Sequence, residues 1–221
     1  MKISIDTSLK EACPQAALGV LRYRGKVEKS GAAFVERFEK AMEALCAQYE
    51  TADIAKMPHV ASTRKAYQAL GKDPHSYRNA AEAMLRRILK GKGLYYINNA
   101  VDINNLLSVT SGYSLGSYDA QKLQGEIVLR RAAEGEHYLG IGKDSYNVEH
   151  LPTLHDAQGA FGNPSSDSQR SMLLPGQREV LLVCYSFDGA AELPALLDAG
   201  EELLRAYCEG YECLERRILE E

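Results

Sequence analysis

An α/β fold, in which mixed β-sheets are layered with helices, is predicted by three observations on the 221-residue chain. Runs rich in β-branched and aromatic residues occur early, in the middle and late in the sequence. Stretches of helical period stand between them, and the two kinds do not alternate in the regular order of a dinucleotide-binding sheet. The length suits one domain with its own core, and a composition of 45% hydrophobic and 25% charged residues excludes disordered, collagenous and coiled-coil classes.

Taken in order, MKISI and AALGVLRYRG read as strands on either side of a Cys13-Pro14 break. Residues 31–49 follow the helical period, with Phe34, Phe38, Ala41, Met42 and Leu45 on one stripe. A second helix is expected over 80–90, with Asn79 as N-cap, Glu82 as its capping-box partner and Gly91 as a left-handed C-terminal stop. Its wheel puts Ala81, Met84, Leu85, Ile88 and Leu89 on a buried face and Arg86, Arg87 and Lys90 on a basic outer edge. EIVLRRA (126–132) and EVLLVCYSF (179–187) are β-rich, and GEHYLGIG (135–142) begins another strand after the Glu134-Gly135 turn. The stretch 190–208 closes as a helix with Leu193, Leu196, Leu197, Leu203 and Leu204 inward, and Cys208 and Cys213 near its end read as packing residues.

No run approaches eighteen apolar residues and the start lacks an apolar signal core, so a cytoplasmic protein away from membranes is expected, with its five cysteines as free thiols. The formal net charge of −4 argues against indiscriminate coating of nucleic acid, yet it hides two opposed regions. Arg64 to Lys92 holds eight basic against two acidic residues, and Asp188 to Glu221 three against ten. The basic set, including Arg78, Arg86, Arg87 and Lys90, is either a solvated face or a contact for phosphates.

Two polar segments are dense enough to carry chemistry. In 97–119, a helix over 98–108 brings Asn98, Asp102 and Asn105 within about 60° of one another, opposite Ile103, Leu106 and Leu107. These side chains either orient a ligand through their amides or cap the helix and tie down a loop. Within the same segment Gly112-Tyr113-Ser114-Leu115-Gly116 matches the spacing of a nucleophile elbow. That motif needs a strand before it and a helix after it, whereas here a helix precedes and SYDAQ follows, so a glycine-flanked loop is expected. In DAQGAFGNPSSDSQRS (156–171), Gly159 and Gly162 permit close backbone approach, and Ser165, Ser166, Asp167, Ser168 and Arg170 crowd hydroxyls, a carboxylate and a cation together. That is either an anion-binding loop or an ordinary surface turn. His150, His155 and Asp156 match no familiar metal spacing and read as turn residues.

Together the runs AYQALGKDPHSYRNAAEAMLRRILKG, INNAVDINNLLSVTSGYSLGSYDAQKLQGEIVLRRAAEGEHY and DAQGAFGNPSSDSQRS resemble the B3/B4 domain of the bacterial phenylalanyl-tRNA synthetase β subunit, and more closely the free-standing proteins built from that domain alone. The likeness runs from about residue 64 to about 187. It implies a three-layer α/β sandwich forming a single domain over 1–221, with 1–60 as an N-terminal elaboration and 188–221 as a C-terminal helix packed on it. It also implies an editing site that hydrolyses tyrosine wrongly esterified to phenylalanine tRNA. Asn105 and Asp102 match the asparagine and aspartate of the family's pocket block, and Gly159 and Gly162 match glycines of the pocket wall. Gly116, ahead of Ser117-Tyr118-Asp119, stands where the family has a histidine, and Val183 where it has a glutamate that recognises the tyrosine hydroxyl.

The function implied is hydrolysis of a mischarged aminoacyl-tRNA in trans. Asp102, Asn105 and Asp167 are the candidate catalytic residues, and Asn98, Gly116, Asp119, Gly159, Gly162, Ser165, Ser166, Ser168 and Arg170 the candidate substrate contacts. Arg78, Arg86, Arg87 and Lys90 would face the tRNA acceptor end. No metal or cofactor is expected. The absence of the family histidine and glutamate supports the alternative, a non-catalytic module for an RNA end or a free amino acid.

Overall fold

The structure, a computed structural model, describes residues 1–220. In chain order its elements are β1 (Ile3–Ile5), α1 (Thr7–Ala12), β2 (Ala17–Val27), α2 (Ala32–Gln48), α3 (Pro58–Ala69), α4 (Ala80–Leu89), α5 (Asn99–Ser111), β3 (Ser114–Asp119), β4 (Ile127–Arg131), β5 (His137–Tyr138), β6 (Tyr146–Asn147), β7 (Pro152–Asp156), β8 (Gly159–Gly162), β9 (Gly176–Ser186), α6 (Leu193–Tyr207) and β10 (Glu212–Leu219).

The layers follow from two strands that are apolar on both faces, the pattern of strands covered on each side. Val180, Leu182 and Cys184 of β9 and Leu21 and Tyr23 of β2 pack into a core shared with α2, α4, α5 and α6. Their alternate neighbours Leu181, Val183, Tyr185, Leu18 and Val20 face a second core with Ile127, Leu129, Leu154 and Phe161. Four helices thus cover one face of the antiparallel sheet β10-β2-β9-β3, and the sheet β1-β4-β7-β8 covers the other, with β1 parallel to β4. This is the α/β layering that the sequence predicts. Among the described residues no helix is long and apolar enough to cross a membrane.

Several elements differ from the sequence reading. Residues 212–219 form strand β10, paired with β2 from Glu212↔Arg24 to Leu219↔Leu18, instead of prolonging the C-terminal helix. Their helix-favouring Glu, Leu and Arg residues are overridden by the free edge of β2. Cys213 accordingly sits exposed on an edge strand, whereas Cys208 is buried at the end of α6. The stretch 1–60, expected as an elaboration, supplies β2, flanked on both sides in its sheet. The strand expected over 135–142 shrinks to the two residues of β5 and an isolated bridge from Gly140 to Ser168, because the chain turns at Gly142, whose φ is +70°. Residues 114–119 and 159–162, read as loops for their glycines and polar residues, are strands: all six residues of the first pair with β9, from Ser114↔Tyr185 to Asp119↔Val180, and Gly159, Ala160 and Gly162 of the second pair with β7.

Helix α4 starts where its cap requires, with the Asn79 side chain accepting the Glu82 N–H at 2.9 Å. The capping box is only half made, because the Glu82 carboxylate turns inward instead of back to Asn79. Wholly buried, it accepts from Arg64 at 3.0 Å and Arg86 at 2.9 Å, with Arg78 at 3.8 Å. Removing a buried charge from such a set strands its partners. We expect Glu82→Gln to lower unfolding stability in urea by about 3 kcal/mol, and Arg78→Ala, at the half-exposed rim, to change it by less than about 1 kcal/mol.

Candidate functional site

A helix start leaves amide donors without partners inside the helix. At α4 these donors bind three different pieces of chain: Ala80 N–H donates to the Pro164 carbonyl at 2.7 Å, Ala81 N–H to Ser114 Oγ at 3.4 Å, and Glu82 N–H to Asn79. Ser114 Oγ in turn donates to Asn79 Oδ1 at 3.2 Å. The loop 163–168, the start of β3 and α4 are thereby pinned together, and between them and α5 lies a cavity of about 270 Å³. Ser114 is fully buried in this lock and opens a strand, with no helix directly following, so the nucleophile-elbow spacing has no elbow geometry.

The cavity gathers residues from both polar segments. From α5 come Asn98 and Asn105, and from the loop come Ser165, Ser166 and Asp167. Asn98 caps α5 by accepting the Val101 N–H at 2.9 Å, whereas the Asn105 side chain has no hydrogen bond to any described residue. The loop is held by Asn163, whose Oδ1 accepts the amides of Ser165 at 2.8 Å and Ser166 at 3.2 Å. Tyrosines hold it from behind: Tyr67 and Ser165 hydroxyls lie 2.6 Å apart, Tyr138 donates to the Ser166 carbonyl, and Tyr118 donates to Asp167 Oδ1 at 2.8 Å. Burial pushes the Asp167 carboxyl up to about 7, against the lowering pull of the Tyr118 hydroxyl and the Asn163 amide.

Other candidate residues are placed elsewhere. Asp102, expected to orient water, is fully buried and committed to structure, its oxygens accepting the Ile97 N–H at 2.9 Å and the Ser30 hydroxyl at 2.5 Å. Burial raises its pKa and these bonds pull the other way. Asp119 accepts the Gln121 N–H at 3.2 Å, at the far end of β3. Arg170, expected to face an anion, is spent on Asp156, which it grips at 3.0 and 3.1 Å, and on the Gly159 carbonyl at 3.0 Å. Ser168 caps the following turn by accepting the Arg170 N–H. Gly159 borders a separate recess beside Tyr138 and Arg170. Val183 is buried in the core between the sheets, and Gly116 lies on that same face of β3, outside the cavity lining. His155 is paired with Glu136 at 2.7 Å, and no cluster of His, Cys, Asp and Glu among the described residues is arranged to hold a metal.

On the adjacent face of α4, Arg78, Arg86, Arg87, Lys90 and Lys92 line an open basic groove. Arg78 and Arg86 are partly neutralised by Glu82, and Arg87 lies over the exposed Tyr95 ring at 4.5 Å. Sequence reasoning did not reach Tyr118, Asn104, Ser117 or Asn163. All four lie inside the two dense polar segments, 97–119 and 156–171, which mark the region without assigning these side chains a role.

The model of the B3/4 domain family matches residues 62–192, which include every residue lining the cavity. The phenylalanine–tRNA ligase beta subunit of Bifidobacterium longum is 37% identical over 99 residues, covering 44% of this chain and 11% of the relative. That of Cutibacterium acnes is 47% identical over 71 residues, covering 32% and 8%. The chain thus spans about a tenth of the length of these curated relatives. An N-terminal fragment of the phenylalanyl-tRNA synthetase beta subunit from Pyrococcus horikoshii superposes on 96% of this chain and 50% of its own, with a TM-score of 0.49 at 13% identity.

A raised carboxyl pKa has a consequence for stability. Below the unfolded value near 3.9 the group is protonated in both states and costs nothing. As pH rises to about 7 the unfolded chain releases the proton and the folded one retains it, so stability is lost across that window. Asp167→Asn keeps the acceptor for Tyr118 without the charge. Its melting temperature should exceed that of the wild type by a margin that grows between about pH 4 and pH 7 and then levels off, measured by thermal denaturation in a pH series.

Proposed function

The chain belongs to the B3/4 domain family, and from that premise we propose that it receives the aminoacylated acceptor end of a tRNA and hydrolyses the ester. The observation that carries the reading is the cavity itself. Its lining contains one ionisable group among the described residues, Asp167, beside the uncommitted amide of Asn105, and α4 presents the basic groove on the neighbouring face. Phosphates of a single RNA end on the groove would leave the terminal ribose and its acyl group at the cavity mouth.

An aminoacyl ester needs little chemical help. It must be fixed, approached by water and relieved of charge at the carbonyl oxygen as the tetrahedral intermediate forms. Water oxygen bonds to the carbonyl carbon, the bond from that carbon to the ribose oxygen breaks, one of the water's protons ends on the ribose oxygen, and the other leaves with the carboxyl group of the released amino acid. Asn105 and the Ser165 and Ser166 hydroxyls are the groups positioned to donate to the carbonyl oxygen. Neither histidine nor a second carboxylate lines the cavity among the described residues, which favours attack of water assisted by the substrate itself over a dedicated acid–base pair. The same observation supports the second reading, a module that binds the charged RNA end without cleaving it.

The deciding experiment incubates the protein with phenylalanine tRNA charged with tyrosine and with a panel of other amino acids. Loss of ester above the buffer rate is expected for at least one, rising to a plateau as pH passes about 7. Asn105→Ala should lower kcat/KM by about tenfold or more with an unchanged melting temperature. Failure to exceed the buffer rate with every charged tRNA overturns the hydrolase, and retention of charged over uncharged tRNA in the same samples then assigns the binding module.

A further inference from the structure

Three polar groups around the cavity are short of partners. Asn104 is 5% exposed, and its amide nitrogen donates to the Leu115 carbonyl at 2.9 Å, which orients the carboxamide and leaves Oδ1 buried without a partner. Ser117, 8% exposed, leaves its hydroxyl equally unmatched. Both residues line the cavity, and buried polar groups are rarely left unpaired without a reason. The third is the Asp167 carboxylate, which meets no cation: no lysine, arginine or histidine among the described residues lines the cavity. A carbonyl oxygen, a hydroxyl and a carboxylate make a set dominated by acceptors, and a primary ammonium with three donors is the group that answers it.

We propose that this cavity is a primary-ammonium subsite in which Asn104 Oδ1, Ser117 Oγ and the Asp167 carboxylate accept from the α-amino group of an aminoacyl substrate, and that Tyr118 is the positioning residue that aims Asp167. The inference rests on the deacylase reading for the identity of the amine, but the acceptor set itself is independent of it.

The positioning is built into the strands. Tyr118 donates to Asp167, so the Tyr185 hydroxyl, 2.6 Å behind, donates to Tyr118. A Cβ at Gly116 would stand 2.0 Å from the Tyr118 oxygen and one at Gly162 would stand 2.3 Å from it. Both glycines have ordinary negative or extended backbone, so the phenol's close approach accounts for the missing side chains. The titratable groups that bear on Asp167 are Tyr118 of β3, Tyr185 of β9, Tyr138 of β5 and Tyr146 of β6, all neutral phenols with pKa values raised by burial. Ionisation of Asp167 therefore controls the charge of the subsite.

The test is an NMR titration of the isotope-labelled full chain with L-phenylalaninol, whose ammonium persists across the range, and with N-acetyl-L-phenylalaninol, which has none. Phenylalaninol should perturb the amides of 104, 117 and 163–167 and bind about tenfold more tightly at pH 8 than at pH 5.5, and the acetylated probe should not bind. Asp167→Asn should weaken binding by about tenfold or more and abolish its pH dependence, and Ser117→Ala should weaken it about threefold. Tyr118→Phe should move the pH midpoint upward, which a loss of packing alone would not do. Binding of both probes alike, no binding of phenylalaninol, or affinity indifferent to Asp167→Asn overturns the subsite. Deacylation without phenylalaninol binding refutes this inference and leaves the hydrolase standing, and binding without deacylation does the reverse.

Discussion

The amide donors at the start of α4 are the constraint on which the site depends. A buried N–H left unpaired costs free energy comparable to a lost hydrogen bond, so each of the first amides must find an acceptor. Ala80 finds the Pro164 carbonyl, Ala81 finds Ser114, and Glu82 finds Asn79. A conventional cap would satisfy them within one segment. Here the acceptors come from α4's own leader, from the strand after α5 and from a loop more than eighty residues away in sequence. Helix, strand and loop cannot shift separately without exposing one of these groups, and the cavity among them inherits that rigidity.

Tyr118 extends the same logic to the carboxylate. The two glycines clear a passage for its ring between the sheets, and its hydroxyl arrives at Asp167 with Tyr185 behind it. A carboxylate with so few donors and no cation is held against its preference for water, which is why its proton is retained to about pH 7. A folded protein that keeps such a group sacrifices some stability for an electrostatic demand that a ligand can meet. By contrast, the buried carboxylates that serve structure have their demands met: Glu82 by arginines and Asp156 by Arg170.

What the sequence revealed depends on how local each determinant is. The Asn79 cap, the apolar stripe of α2 and the inward leucines of α6 are set within one or two turns of helix, and all three appear as read. The dense polar stretches around Asn105 and Asp167 were legible as places where chemistry concentrates, because asparagines, serines and aspartates are poor at filling a core. Which of those side chains turn to the cavity was not. Asp102 and Asn105 are three residues apart on one helix, yet the first is captured by Ser30 and the Ile97 amide while the second stays uncommitted. Arg170 reads as an anion clamp, but the turn between β7 and β8 brings Asp156 and the Gly159 carbonyl within its reach. Strand β10 was hidden for a similar reason, since ECLERRIL has helical propensity and becomes a strand only because β2 offers it an edge.

The distribution of charge follows from the same commitments. The net charge of −4 sums a basic run and an acidic tail, but not every cation in the run is available. Arg64 and Arg86 are held by the buried Glu82, Arg78 is drawn to it, and Arg87 donates to the Gly93 carbonyl at 2.7 Å while covering Tyr95. Lys90 and Lys92 remain at the groove without an ion pair to any described residue. A surface with so few uncommitted cations neutralises few phosphates, and the electrostatic part of RNA affinity scales with that number. On the reading proposed above, discrimination would come from what enters the cavity, where one carboxylate and two unmatched acceptors set the terms, more than from the electrostatic strength of the groove.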